Sequence, residues 1–555
     1  MGNDADLAFV NGAVYTVDAA SSRARAVALK SGRIVAVGTD DEIRDHVGSH
    51  TEVVDLAGKM LLPGFQDAHI HAPTGGMHRL RIDLSEAHSW DDYARLIRGW
   101  ADANPAADWV LGGGWAMDVF PGGTPSRSQL DELVPDRPVY LVNRDLHAAW
   151  ANTKAVGLAG LDASTPDPAD GRIERESDGT PQGTLHEGAM SLVRRLVPEP
   201  TTADVERAIL EAQRYLHALG ITAWQDAIVG DYPAMVHGRE AYPSLASRGD
   251  LTARVVGALW LERGRGVEQI DQLTATRDAT SGGRYRATSV KIMLDGVCEN
   301  FTAAMQRSYL GPDGAESGNT GLEYFDPETL REVVVRLDAE GFQVHTHVIG
   351  DRACRDALDA IEAARAANGL NDLRHHLAHI QVVHPDDVPR FRRLGVTANA
   401  QMLWAAHDPQ LDVLTAPFLG EQRMGWMYPF GSLLASGATM CGGSDWPVST
   451  PDVLQELHVA VHRTTAPNYL YGTADPSPFL PHERITLAQA IRAYTMGSAY
   501  VNHLDDVTGS IQVGKLADLV VLSEDLFALG SPTEARVVLT LVDGHKVYEA
   551  VGSGL

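Results

Sequence analysis

The 555-residue chain predicts an α/β fold: a (β/α)8 barrel, a small β domain built from both chain ends, and an α+β insert after the first barrel strand. Three observations lead there. Both ends alternate in the manner of β-strands, the middle alternates short apolar strands with amphipathic helices, and one interval between strands is far longer than the others.

Residues 1–60 contain "LAFVNGAVYTVD" and "AVALKSGRIVAVG", in which Asn11-Gly12 and Ser31-Gly32 predict hairpin turns. Residues 505–555 read the same way in "GSIQVGKLADLVVLS" and "ARVVLTLVDGHKVYE". Domain termini often lie close together, so the two ends are expected to form one β domain. Residues 61–78 supply barrel strand one, "LLPGFQDAHIH". Residues 79–195 carry patterns of their own, such as "ADWVLGGGW" and "RPVYLVNRDLHAAWANTKAVGLAG". They read as an inserted domain on the first βα loop, placed to roof the barrel's C-terminal face. Residues 196–504 complete the barrel. Their first helix, "TTADVERAILEAQRYLHAL", puts Val205, Ala208, Ile209, Ala212, Leu216 and Leu219 on one face, with Gly220 just past its end. Strands follow in "GITAWQDAI", "ARVVGALWL", "ATSVKIMLDG", "GFQVHTHVIGD", "RHHLAHIQVV", "GVTANAQMLW" and "ATMCGGSDWPVS". A closing helix opens with a Thr486-x-x-Gln489 capping box.

Composition narrows the class. A net charge of −27 argues against nucleic acid or anionic membrane as a partner, since both require a basic footprint. Cys298, Cys354 and Cys441 are the three cysteines, too few and too scattered for a disulfide framework or a paired-cysteine zinc site. The N-terminus lacks the basic and apolar regions of a signal peptide. No apolar run reaches the ~18 residues of a membrane span. A cytoplasmic enzyme acting on a small molecule is expected.

Active sites of such barrels lie at the C-terminal strand ends. There strand one presents His69 and His71, which share a face because side chains repeat every second residue. Strand four presents Lys291, strands five and six His347 and His379, and strand eight Asp445. A lone histidine is usually a core or surface residue. Four imidazoles and a carboxylate converging on one mouth form the ligand set of a divalent metal site. Nitrogen and carboxylate donors suit zinc, as one or two ions, with manganese, iron or nickel as alternatives. His345 shares the face of His347 one layer lower. Alternation groups His375 with His379 and turns His376 towards the helices. Asp295 is either a further polar group at the mouth or a turn residue before Gly296. Lysine is scarce here, six of the 46 basic residues, so Lys291 on an apolar strand is informative. A protonated amine would repel the metals. A neutral lysine can take up CO2 and become a carbamate, an anion able to bridge two ions, whereas arginine stays protonated.

At these residues the chain resembles the amidohydrolase superfamily, most closely amidohydrolase family 3, the branch with N-substituted formamide deformylase-like enzymes. The matching pieces are "PGFQDAHIH", "VKIMLDG", "HTHVIGDRA", "HHLAHIQ", "GGSDWPVS" and "GKLADLVVL", spread in order over nearly the whole chain. The resemblance implies a zinc-type site ligated by His69, His71, His347 and His379, with carboxylated Lys291 bridging and Asp445 as catalytic acid/base. It also implies a split β-sandwich, the insert and a homodimer. One departure stands out: the sixth-strand motif commonly reads Arg-His-x-x-Glu-His, and here Ala378 precedes His379.

The expected reaction is hydrolysis of an amide-like C–N bond of a small molecule by metal-activated water, with Asp445 shuttling the proton to the leaving nitrogen. Trp115 and His147 in the insert, and Trp446 beside Asp445, are expected to touch substrate. Ester or carbamate hydrolysis, deamination and decarboxylation are alternatives on the same cage. A non-catalytic metal-binding homologue is another.

Overall fold

The computed structural model describes residues 4–233, 235–467, 469–472 and 477–555. Its centre is an eight-stranded sheet in which every hydrogen-bonded neighbour is parallel. In chain order the strands are Phe65–Ile70, Ile221–Val229, Arg254–Trp260, Tyr285–Met293, Gln343–Val348, His376–His379, Thr397–Ala400 and Met440–Gly442. These are the eight strands expected from the sequence, and parallel order follows from the helices between them. The helix before strand two, Thr202–Ala218, begins on the Thr201/Asp204 capping box and buries Val205, Ala208, Ile209, Ala212 and Leu216. No helix among the described residues is long and apolar enough to cross a membrane.

The ring of strands closes without a regular ladder between the first and last. Asp445 N–H donates to His69 O at 2.7 Å and His71 N–H to Trp446 O at 2.8 Å. The Asn399 side-chain amide donates to Ala68 O at 2.9 Å. Asp67 accepts from the backbone N–H groups of His69 (3.0 Å) and Ser444 (3.1 Å), tying one edge to the other. Burial drives the Asp67 carboxyl up to about 7 despite these bonds. Gly443 permits the close approach, since a Cβ there would sit 2.7 Å from His69 Cβ.

Both chain ends fold into two facing sheets. One holds Arg33–Gly38, Ala26–Lys30, Leu7–Val10 and Glu52–Asp55. The other holds His545–Glu549, Val537–Val542, Leu519–Leu522, Met60–Pro63, Ala13–Tyr15 and Arg23–Ala24. Phe9, Val27 and Ile34 of the first meet Leu61, Leu519 and Leu541 of the second in one core, the packing of a β-sandwich. Ser31-Gly32 is the expected hairpin, with both residues at positive φ and Lys30 opposite Arg33. Asn11-Gly12 is not a hairpin. Leu7–Val10 and Ala13–Tyr15 belong to different sheets, and the dipeptide carries the chain across the sandwich.

The insert is built on a six-stranded mixed sheet in the order Gly171–Arg175, Pro181–Glu187, Ala148–Ala151, Val139–Asn143, Val110–Trp115 and Ile82–Asp83. Alternation along Val139–Asn143 splits its two faces. Val139 and Leu141 join the insert's own core, while Tyr140 and Val142 pack in a cluster with Trp260, Met293 and Val448 of the barrel. The sheet thus lies along one side of the barrel mouth, held there by apolar burial.

Candidate metal centre

The barrel mouth opens into a cleft of about 850 Å³ whose floor includes His69, His71, Lys291, His347, His379 and Asp445. Ligand atoms of His69, His379 and Asp445 all lie within 4.8 Å of one another. Asp445 Oδ1 is 3.2 Å from His69 Nε2 and 3.0 Å from His71 Nε2. Asp445 Oδ2 is 3.8 Å from His379 Nδ1. Lys291 Nζ lies 3.4 Å from His69 Nε2, and the His347 and His379 rings are 4.5 Å apart. The six predicted side chains meet on one floor although they are scattered from residue 69 to residue 445.

Their electrostatics suit a cation. Burial, reinforced by Lys291 and the other imidazoles, holds His69, His347 and His379 well below the usual histidine range. They are therefore neutral at pH 7, the form that ligates metal. Burial alone would raise Asp445, but the hydrogen bond from His71 and the fields of His379, His71 and Lys291 outweigh it and keep it ionised. Burial lowers the Lys291 amine to about 7. The Nδ1 atoms of His71 and His379 are buried without hydrogen-bond partners. Unsatisfied buried nitrogens beside an ionised carboxylate are a donor set that fits a divalent metal.

The support of the floor explains its geometry. His345 lies one layer down, as its parity with His347 requires, and its Nε2 meets His69 Nδ1 at 2.7 Å. Partners of this kind fix a ligand's ring orientation, and their loss typically costs about 10–100-fold in metal affinity. His345→Ala is therefore expected to lower affinity in that range, measured by competition with a chelator. An unchanged affinity in a folded variant excludes His345 as a positioning residue. His379 is held by its N–H donating to Gln401 Oε1 at 2.7 Å and by a Trp404 ring stacked at 5.2 Å. Asp295 accepts from the N–H groups of Ala304 (2.9 Å), Ile349 (3.1 Å) and Gly350 (2.8 Å), with Oδ1 3.7 Å from His347 Nε2. It anchors the loop after strand five.

Three expectations need correction. His376 does not face the helices. Its ring lies 4.1 Å from His345, and His375 turns outward to Asp338 at 2.8 Å on helix Pro327–Ala339. The parity count fails because His379 and Ile380 take positive φ, 75° and 41°, which breaks the pleat and re-aims the ligand. Trp115 does not line the cleft. It is fully buried in the insert core, and its indole N–H donates to Leu141 O at 2.9 Å. Trp446 lies behind the metal cleft, packed against Gly75 and 5.4 Å from the Tyr215 ring. The chain reverses at Asp445 (φ 58°).

His147 does reach the cleft. Its Nδ1 is 2.8 Å from Glu187 Oε1, and its ring centroid is 5.6 Å from that of His347. Glu187, Arg144, Glu299 and Trp404 were missed by the sequence reading. The first three lie in loops or at strand ends, where periodicity carries no signal.

Comparisons with known proteins cover nearly the whole chain. The model of an amidohydrolase family matches residues 52–548. Protein LONG AFTER FAR-RED 3 of Arabidopsis thaliana is 31% identical over 98% of this chain and 92% of its own length. N-substituted formamide deformylase of Arthrobacter pascens is 29% identical over 99% of both chains. Among solved structures, an uncharacterized metal-dependent hydrolase from Pyrococcus furiosus superposes with a TM-score of 0.69 at 26% identity, covering 94% of this chain and 99% of that one. Together with a floor of neutral imidazoles around a carboxylate, these matches make the chain a metal-dependent hydrolase, and it belongs to the amidohydrolase family.

Proposed function

We propose that this chain hydrolyses an amide-type C–N bond of a small molecule. The observation that carries the reading is Asp445: an ionised, buried carboxylate whose Oδ1 lies 3.0 and 3.2 Å from the two imidazoles of strand one. His69, His71, His347, His379, Lys291 and Asp445 would hold one or two ions. Nitrogen and carboxylate donors favour zinc, with manganese, iron or nickel as alternatives. When bound, such an ion polarises the substrate carbonyl and brings the pKa of water close to neutrality.

The chain's own groups do the rest. Lys291 Nζ, whose pKa burial lowers to about 7, has its neutral form within reach at pH 7 and can then add CO2. An exposed lysine is neutral in only roughly four molecules in ten thousand at that pH. The resulting carbamate would replace a repulsive cation with a bridging anion. Asp445 takes the proton of the attacking water and delivers it to the leaving nitrogen, a contribution typically worth ~10²–10⁴-fold. His147, oriented by Glu187, stands beside His347 and bonds the substrate next to the reacting carbon. Selection of a C–N bond is supported by the formamide deformylase that matches end to end.

A panel of N-substituted formamides, N-acyl amines, carbamates, esters and amino-heterocycles, assayed with zinc-loaded protein, tests the reading. Release of free amine from the first two classes, at rates at least tenfold above any ester, is the expected outcome. Turnover confined to esters, or ammonia released from the heterocycles alone, overturns it.

A further inference from the structure

Behind the metal centre, between helix Ala72–Leu80 and the insert sheet, lies a second cleft of about 500 Å³. Its polar wall includes Arg81, Arg194, His78 and Tyr140, with Thr74 already bonded to the Val236 backbone. In a chain with 73 acidic residues, no acidic side chain among the described residues lines it. Arg81 is mostly shielded from solvent, and its guanidinium makes no hydrogen bond or ion pair among the described residues. The nearest like charge is Arg194, whose field opposes that of Arg81, while Asp204 acts on it only through space. Arg194 is itself held by Glu199 through two bonds of 2.7 Å, which leaves Arg81 as the uncompensated charge. The Tyr140 hydroxyl and His78 Nδ1 are buried and lack partners as well.

Shielded guanidinium and phenol groups without partners are costly, and native proteins normally satisfy them. Both line the same cleft and present N–H and O–H donors to it, the complement of an oxyanion. The remaining wall is apolar, with Met77, Leu111, Val142 and Val197. We propose that this cleft is a binding site for a small organic anion, a carboxylate or phosphate ester, whose charged group bonds Arg81 and the Tyr140 hydroxyl while its apolar part packs on these side chains. The site is separate from the metal floor and does not depend on the reaction assigned there. His78 stands two turns along the helix that leaves His71.

The test is calorimetric titration of the metal-loaded protein in phosphate-free buffer with three probes: octanoate, phenyl phosphate and inorganic phosphate. Saturable binding of an organic anion more tightly than inorganic phosphate is expected, with octanoate against phenyl phosphate deciding which headgroup fits. Arg81→Gln should weaken it at least tenfold and Tyr140→Phe about threefold, with the melting temperature without ligand little changed. No saturable binding by the native protein overturns the proposal, and so does equal affinity in Tyr140→Phe together with either Arg81→Gln or, if that variant does not fold, Arg81→Lys.

Discussion

Asp445→Asn leaves the protein folded and metal-loaded and abolishes its turnover. The substitution keeps the shape of the side chain and the backbone bond from Asp445 N–H to His69 O, so closure of the barrel is untouched. What disappears is the ionised oxygen placed to accept a proton beside His69 and His71. A loss at the upper end of the ~10²–10⁴-fold range for general acid–base catalysis is expected. The measurement is kcat on the best substrate, together with metal content by mass spectrometry. Retention of more than a tenth of the native rate removes Asp445 from the proton path. Loss of metal along with rate means that its main duty is ligation.

Lys291→Arg has an equally large effect by another route. Arginine stays charged at any working pH and cannot be carboxylated. It would fix a positive charge 1% exposed to solvent among four imidazoles, with no anion to bridge cations. Metal content should fall below a tenth of the native stoichiometry. The native protein, given ¹³C-bicarbonate, should show a carbamate carbon signal that the variant lacks. Carboxylation needs the neutral amine, and the Lys291 amine titrates at about 7. The signal should therefore grow between pH 6 and pH 8 and be small below pH 6. Full metal occupancy in the variant would place Lys291 outside the cage.

Much of this was legible in the sequence because the barrel repeats one unit eight times and each strand ends at the same level. A residue's place in its strand therefore fixes its height: His347 above His345, His69 and His71 side by side. The reading failed where backbone leaves the pleat. Parity held for His345 over Lys291's neighbouring strand but misplaced His376, because left-handed residues at His379 and Ile380 are invisible to a count of two. Trp115 and Trp446 were misjudged because an apolar ring in a short sequence window looks the same in a core as in a pocket wall. Whether an indole finds a partner such as Leu141 O depends on strands remote in sequence. Arg144 and Glu299 lie in loops, outside any strand or helix period, and Glu187, at the end of Pro181–Glu187, reaches the cleft only through His147, so their approach to it had no local trace.

The irregular seam between the first and last barrel strands gives the cation a mechanical role as well. His69 and His71 stand on one side of that gap and Asp445 on the other, where Asp67, Asn399 and a few main-chain bonds are the remaining fastenings. An ion gripped by both sides would rivet the cylinder shut across more than 370 residues of intervening chain. Loading with metal and keeping the cylinder intact are thus thermodynamically linked, and a chelator would loosen the scaffold at the same place where it silences the chemistry.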